Sequence, residues 1–212
     1  MEKAITGMTK DRVMVYVDGF NIYFGMLEAG YDKYKWLNLR TLALSLLKPN
    51  QELIAQFVRE HSDRFVGWCS VDPNDPDCVN QLDYYVNHLG FRGLKCSPIY
   101  QNWDPQDPRH LPLFKKAEKL GIPVNIHQGT SFVRPGPLKY ANPIQLEDIA
   151  IACPDLRIVI AHMGHPWEDE CVVLIRKHPN LYANISALHY RPLRHYQAFM
   201  TAIEYGVEDR KS

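Results

Sequence analysis

The stretch Gly121-Ile-Pro-Val-Asn-Ile-His-Gln-Gly-Thr130 decides the fold. Its apolar run, residues 122–126, reads as a buried parallel strand. The run delivers a polar group, His127, at its C-terminal end, and Gly129 then lets the chain turn sharply. The same grammar returns in Leu156-Arg-Ile-Val-Ile-Ala-His-Met-Gly164. Two strands that each end in histidine and then glycine place two imidazoles on one rim of a parallel sheet. That rim is where α/β folds, and (β/α) barrels above all, keep their chemistry.

Outward from this pair, strand and helix alternate. Toward the N-terminus come a strand over 91–96, a helix over 79–89 closed by Gly90, a strand over 65–71 and a helix over 51–61. A polar, proline-rich loop covers 104–112, and a helix runs from it to Leu120. Toward the C-terminus come helices over 144–152 and 167–177, a strand over 181–185 and a helix from 192 to 205. Loops this short suit right-handed βαβ units. Residues 12–17 form one further strand, ended by Asp18-Gly19, and helical patterns follow over 21–29 and 39–47. No internal repeat is visible, which excludes a solenoid.

The 24 Lys and Arg balance 24 Asp and Glu. Charge therefore makes no global case for nucleic acid or an anionic membrane. No apolar run approaches ~20 residues, so nothing in the sequence spans a bilayer. The opening residues Met1-Glu-Lys-Ala-Ile-Thr carry no secretory h-region. Five cysteines without a CxxC pair point to reduced, buried thiols and a cytoplasmic setting.

His127 is a metal donor for zinc or iron at a strand end, or a histidine satisfied within the rim. His162 is a general acid/base, since an imidazole's ordinary pKa of about 6.5 suits proton transfer near neutrality, or again a rim histidine. His165 lies past the turn and reads as a loop residue. Lys95 ends a strand, where it contacts an acidic substrate, bridges metals as a carbamate, or simply meets solvent. Arg134 and Lys139, in the loop after His127, steer a carboxylate or belong to a solvated loop. Asp18 and Asn21 in Val15-Tyr-Val-Asp-Gly-Phe-Asn21 are magnesium-type ligands after a first strand, or a turn and a helix cap.

Residues 57–207 resemble the amidohydrolase-2 family, metal-dependent (β/α) barrels related to aminocarboxymuconate semialdehyde decarboxylase. The resemblance rests on Asp63-Arg-Phe-Val-Gly67, Val71-Asp-Pro73, Leu89-Gly-Phe-Arg-Gly-Leu-Lys95, the two histidine stretches and Pro166-Trp-Glu-Asp169, in that order. It implies that His127 is the strand-five metal ligand and that His162, ending strand six, handles protons. Residues 12–54 resemble instead the start of NYN domains, the PIN-like nucleases, with Asp18 as first carboxylate and Asn21 its neighbour. The barrel family opens with a His-x-His strand, and no such pair occurs in this sequence. It closes on a Gly-Ser-Asp strand that this chain does not reach.

The expected fold is thus α/β: a partial (β/α) TIM barrel of about five parallel strands with flanking helices, over 55–212, behind a short βα element in 1–54. That front element is expected to pack as an appendage. The expected function is a metal-dependent hydrolase or decarboxylase of a small carboxylate or cyclic substrate, with little or no turnover. Zinc is its expected metal, with manganese or iron next. The alternatives are a metal-dependent ribonuclease using Asp18, which alone would bring in nucleic acid, and a non-catalytic fusion remnant. The open sheet edge at 181–185 is expected to drive self-association. His127 and His162 should lie within about 5–8 Å of one another, from metal–nitrogen distances of ~2.0–2.1 Å.

Overall fold

The structure, a computed structural model, describes residues 51–207. Contacts group the chain into two units, Met1–Gly67 and Trp68–Ser212. In the first, helix α1 (Gln51–Glu60) is followed by a turn, and the rings of Phe57, His61 and Phe65 cluster with centroids 4.7–6.2 Å apart.

The second unit is built on five parallel strands: β1 (Cys69–Ser70), β2 (Leu94–Cys96), β3 (Val124–Ile126), β4 (Ile158–Ile160) and β5 (Leu181–Ala183). They lie side by side in chain order, β1-β2-β3-β4-β5. A doubly wound sheet reverses its order at a switch point, whereas a (β/α) barrel does not. The expected partial TIM barrel is therefore what the described residues form. Between the strands run α2 (Cys78–Asn87), α3 (Pro98–Gln101), α4 (Leu111–Lys119), α5 (Glu147–Ala152) and α6 (Glu168–Lys177), and α7 (Pro192–Glu204) follows β5.

Register divides the sheet into two faces. Cys69, Leu94, Val124, Ile158 and Leu181 align across all five strands and are fully buried. Cys96, Ile126 and Ile160 repeat this two residues on. Together with Leu82, Phe114, Ile149 and Val172 of the helices, also buried, they form the core, and α6 packs directly on β5. The alternate row, Lys95, Asn125, Val159 and Tyr182, is half-buried. Strand side chains alternate between faces, so the helix face is apolar and sealed while the opposite face is partly polar and open. In a closed barrel that opposite face would be the interior.

The strands are shorter than the apolar runs suggest. The expected strand over 65–71 is reduced to Cys69–Ser70, and that over 91–96 to Leu94–Cys96. At Gly93 the indole of Trp68 lies where a Cβ would stand, 2.3 Å from its Cδ2, while the Gly93 carbonyl accepts from the Cys69 N–H at 2.9 Å. Pro123 accepts from the Leu94 N–H at 3.0 Å but has no N–H to return, so β3 starts at Val124. The helix expected over 144–152 is split. Asn142 caps the Ile144 N–H at 2.9 Å and opens a 3-10 turn, Pro143–Leu146, before α5 begins. Helix α3 was not anticipated. The expected front strand, with Asp18 and Asn21, lies outside the described residues.

All five cysteines are buried and free. Burial pushes the Cys69 thiol up to about 12 and the Cys153 thiol to about 11, and raises Cys96 and Cys171 further. None is a thiolate near neutral pH.

Candidate active site

His127 is the first residue beyond β3, in line with Asn125 on the open face. Its N–H donates to the Cys96 carbonyl at 2.9 Å, which extends the β2–β3 ladder by one bond and holds the residue at the C-terminal rim. Its Nε2 is buried without a hydrogen-bond partner. The Tyr100 ring of α3 lies 5.1 Å away on one side, centroid to centroid. On the other, the His162 ring stands at 5.2 Å, tilted 75°. The expected proximity on one sheet edge is observed. Burial foremost, then the neighbouring His162 and Lys95, hold the His127 imidazole down at about 3.

His162 sits in a left-handed turn. His162, Met163 and Gly164 have φ of 57°, 48° and 65°. For the two non-glycine residues this conformation costs roughly 1–2 kcal/mol each. Asn184, just past β5, holds it. Its Oδ1 accepts from the His162 N–H at 3.0 Å, its carbonyl from the Met163 N–H at 2.9 Å, and its own N–H donates to Ile160 at 3.0 Å. The Asn184 Oδ1 also meets Ser186 N at 3.2 Å and Ser186 Oγ at 2.5 Å. The His162 Nδ1 lies 2.7 Å from Ser186 Oγ and 3.1 Å from the Ser186 carbonyl. Sequence reasoning missed Asn184 and Ser186, whose bonds span 22 and 24 residues.

The loops after β3 and β4 are stitched together. Thr130 N–H donates to the His165 carbonyl at 2.7 Å, and Gly129 N–H to Ala141 at 2.8 Å. His165, expected as a plain loop residue, bonds through Nδ1 to the carboxylate of Glu168, which is 3% exposed. Arg194 of α7 approaches the same carboxylate at 3.9 Å.

Lys95 reaches Asn125 Oδ1 at 2.7 Å on the open face, and its charge is felt at His127. The structure thus brings His127, His162 and Lys95 together. It leaves Arg134 exposed on the loop after β3, with no ion pair to a described residue. Lys139 in the same loop lies over the Tyr140 ring, 4.6 Å from its centroid.

A catalytic zinc is commonly held by three protein ligands. Among the described residues no three His, Cys, Asp or Glu converge on one point. The orphaned His127 Nε2 suits one ligand position, and the described donors do not complete a set. No helix of the described residues is long and apolar enough to cross a membrane.

The depressed His127 pKa gives a test of its burial. Unfolded, the imidazole titrates near ~6.5. Folded, it refuses the proton down to about 3. Its contribution to stability is therefore complete above ~6.5 and is lost as pH falls from there toward the folded value, about 5 kcal/mol in all. Urea midpoints for the native chain and His127→Gln, compared at pH 7, 5 and 4, should diverge in slope, with the variant less acid-sensitive. Parallel profiles would show that His127 is not buried in this way.

An amidohydrolase family model matches residues 5–210. A gamma-resorcylate decarboxylase from Rhizobium radiobacter is 24% identical over 151 residues, 59% of this chain and 46% of its own length. The chain thus spans about half the length of that curated relative, or less. An uncharacterised TIM-barrel protein from Bordetella bronchiseptica superposes with a TM-score of 0.65 at 25% identity, over 76% of this chain and 57% of that one. The 5-carboxyvanillate decarboxylase of Novosphingobium aromaticivorans, complexed with manganese and 4-hydroxy-3-methoxy-5-nitrobenzoic acid, gives 0.58 at 20% identity, over 84% and 60%, a likeness of fold. The NYN resemblance over 12–54 finds no support, because the family match runs through that stretch. With nearly its whole length matched, the chain belongs to the amidohydrolase family.

Proposed function

We propose that this chain descends from a metal-dependent decarboxylase or hydrolase and binds a small cyclic carboxylate at the rim shared by His127 and His162, with little or no turnover of its own. The observation that carries the reading is the juxtaposition of the two rings, 5.2 Å apart at the ends of adjacent parallel strands, with a buried unpartnered nitrogen between those strands' loops. The decarboxylase relatives support it. In this reading His127 is the metal donor and His162 takes and returns a proton. Lys95 faces the substrate carboxylate, and Arg134 steers it inward. The ion is divalent: zinc by the imidazole donor, manganese by the bound relative.

The test is ligand binding, which does not need turnover. With 2,6-dihydroxybenzoate, the ring signals of His127 and His162 should shift together and saturate. Lys95→Met should weaken binding about 10–100-fold, the worth of a charge-assisted hydrogen bond. Unmoved histidine signals at tens of millimolar ligand would sink the reading.

Self-association belongs to the same reading. Strand β5 is the last in the described sheet, and α7, which packs on α6, exposes Leu193, Tyr196 and Ile203 at 68%, 64% and 52%. An open strand edge and an exposed apolar helix stripe each favour pairing with another copy. Light scattering should show mass rising with concentration, and Tyr196→Glu should suppress the rise. A strictly monomeric species throughout would contradict it.

A further inference from the structure

We infer that Asn184 and Ser186 are positioning residues that lock the neutral His162 ring in its Nδ1–H tautomer, leaving Nε2 as the atom that accepts a proton. The inference follows from which atoms can donate. Asn184 Oδ1 faces two backbone N–H groups, of His162 at 3.0 Å and of Ser186 at 3.2 Å. Backbone N–H groups only donate, so the amide atom there is the oxygen, and the orientation of Asn184 is fixed.

The Ser186 hydroxyl has one proton. It lies 2.5 Å from that same Asn184 oxygen, which only accepts, so the proton is committed to that bond. Toward His162 Nδ1, 2.7 Å away, Ser186 Oγ therefore offers a lone pair. The second neighbour of Nδ1, the Ser186 carbonyl at 3.1 Å, also only accepts. Both partners require Nδ1 to carry the proton. In a neutral imidazole the other nitrogen then carries none. The direction of donation runs from His162 Nδ1 to Ser186 Oγ to Asn184 Oδ1.

The same asparagine holds the left-handed backbone of His162 through the His162 and Met163 N–H groups. One short segment past β5 thus sets both the ring's place and its protonated atom. The consequence for chemistry rests on the proposed role of His162: a base working through Nε2 needs that nitrogen unprotonated at the start of each cycle. The tautomer itself does not rest on that role.

The experiment is nitrogen NMR on chain labelled with ¹⁵N-histidine, with His162 assigned by the loss of its signals in His162→Gln. Two-bond proton–nitrogen correlations, recorded at alkaline pH where imidazoles are neutral, should show Nδ1 as the protonated nitrogen. An Nε2–H pattern, or an averaged mixture, would overturn the inference. Ser186→Ala keeps the carbonyl acceptor but drops the hydroxyl. It should speed solvent exchange of the His162 ring proton about tenfold, and Ser186→Thr should restore the native rate. Exchange unchanged in Ser186→Ala would remove Ser186 from the clamp. The native-chain tautomer decides the matter even where a variant fails to fold. If the tautomer stands and no carboxylate binds, the proposed function fails alone.

Discussion

Replacing Gly129 with alanine is expected to lower the melting temperature by roughly 10 °C and to separate His127 from His162. Gly129 has φ +99°, beyond even the left-handed helical well near about +57°. A Cβ there would stand 2.5 Å from the His165 carbonyl oxygen and 3.0 Å from Gly164 C and His165 N. These are backbone atoms, so no side chain can swing aside. Either the β3 loop or the β4 loop must move, and the bonds Gly129 N to Ala141 O and Thr130 N to His165 O are strained or lost. Conformational strain of roughly 1–2 kcal/mol and two hydrogen bonds of about 0.5–1.5 kcal/mol each sum to on the order of 3–4 kcal/mol. At ~2–4 °C per kcal/mol for a chain of this size, that is a shift of roughly 10 °C. Gly90→Ala and Gly121→Ala are the controls. Both glycines have positive φ, +80° and +66°, but nothing within 4 Å of the added Cβ. Each should cost only about 1 kcal/mol. Equal shifts in all three variants would show that the close approach at Gly129 does not matter. In the native fold, by contrast, that approach is what lets the two histidine loops meet.

The histidine pair was legible because each member follows an apolar run at once and a glycine stands two residues on, a local pattern that needs no partner to be read. Lys95 was legible as the polar residue that ends the strand pattern Gly93-Leu-Lys-Cys96. What fixes His162 was not legible. Asn184 and Ser186 act over 22 and 24 residues, and their own neighbourhood, Ala183-Asn-Ile-Ser-Ala187, reads only as a strand end. The positive φ of Met163 is equally silent, since methionine does not favour that region. Glu168 had a visible spacing to His165, but its burial comes from packing around α6 and α7 that no local pattern encodes. Strand lengths were overestimated because apolar runs report burial, whereas regular pairing needs a donor that Pro123 lacks. The NYN reading leaned on Val15-Tyr-Val-Asp-Gly-Phe-Asn-Ile-Tyr-Phe24 and the helix ending at Pro49, and its Asp-Gly is a turn signature as much as a metal site.

The open face ties these pieces to function. Its row of Lys95, Asn125, Val159 and Tyr182 is half-buried, unlike the sealed rows beside it. Lys95 donates to Asn125 Oδ1 at 2.7 Å, which holds a cation against the sheet beneath His127. In the proposed reading, a ligand carboxylate arriving at the rim would pass the two rings before it met this cation.

Purified chain is expected to show little or no decarboxylase or hydrolase turnover, even with metal supplied. The reason is the count of donors. No His-x-His pair occurs anywhere in the 212 residues, and the described residues gather no group of three ligating side chains. His127 offers one well-placed nitrogen, and His162 is engaged through Nδ1 with Ser186. One or two imidazoles hold a divalent ion only weakly, on the order of millimolar, about 4 kcal/mol. General acid/base help from His162 is worth about 10²–10⁴-fold, well below the 10⁶-fold at which enzymes typically begin. Isothermal titration with Zn²⁺, Mn²⁺ and Fe²⁺, each followed by assays on aromatic and muconate-type carboxylic acids, measures both halves of the expectation. Weak binding that His127→Ala weakens further, with no release of carbon dioxide above the buffer rate, is the expected outcome. Stoichiometric tight binding together with turnover that His127→Ala abolishes would mean that the chain assembles a complete ligand set around His127 after all.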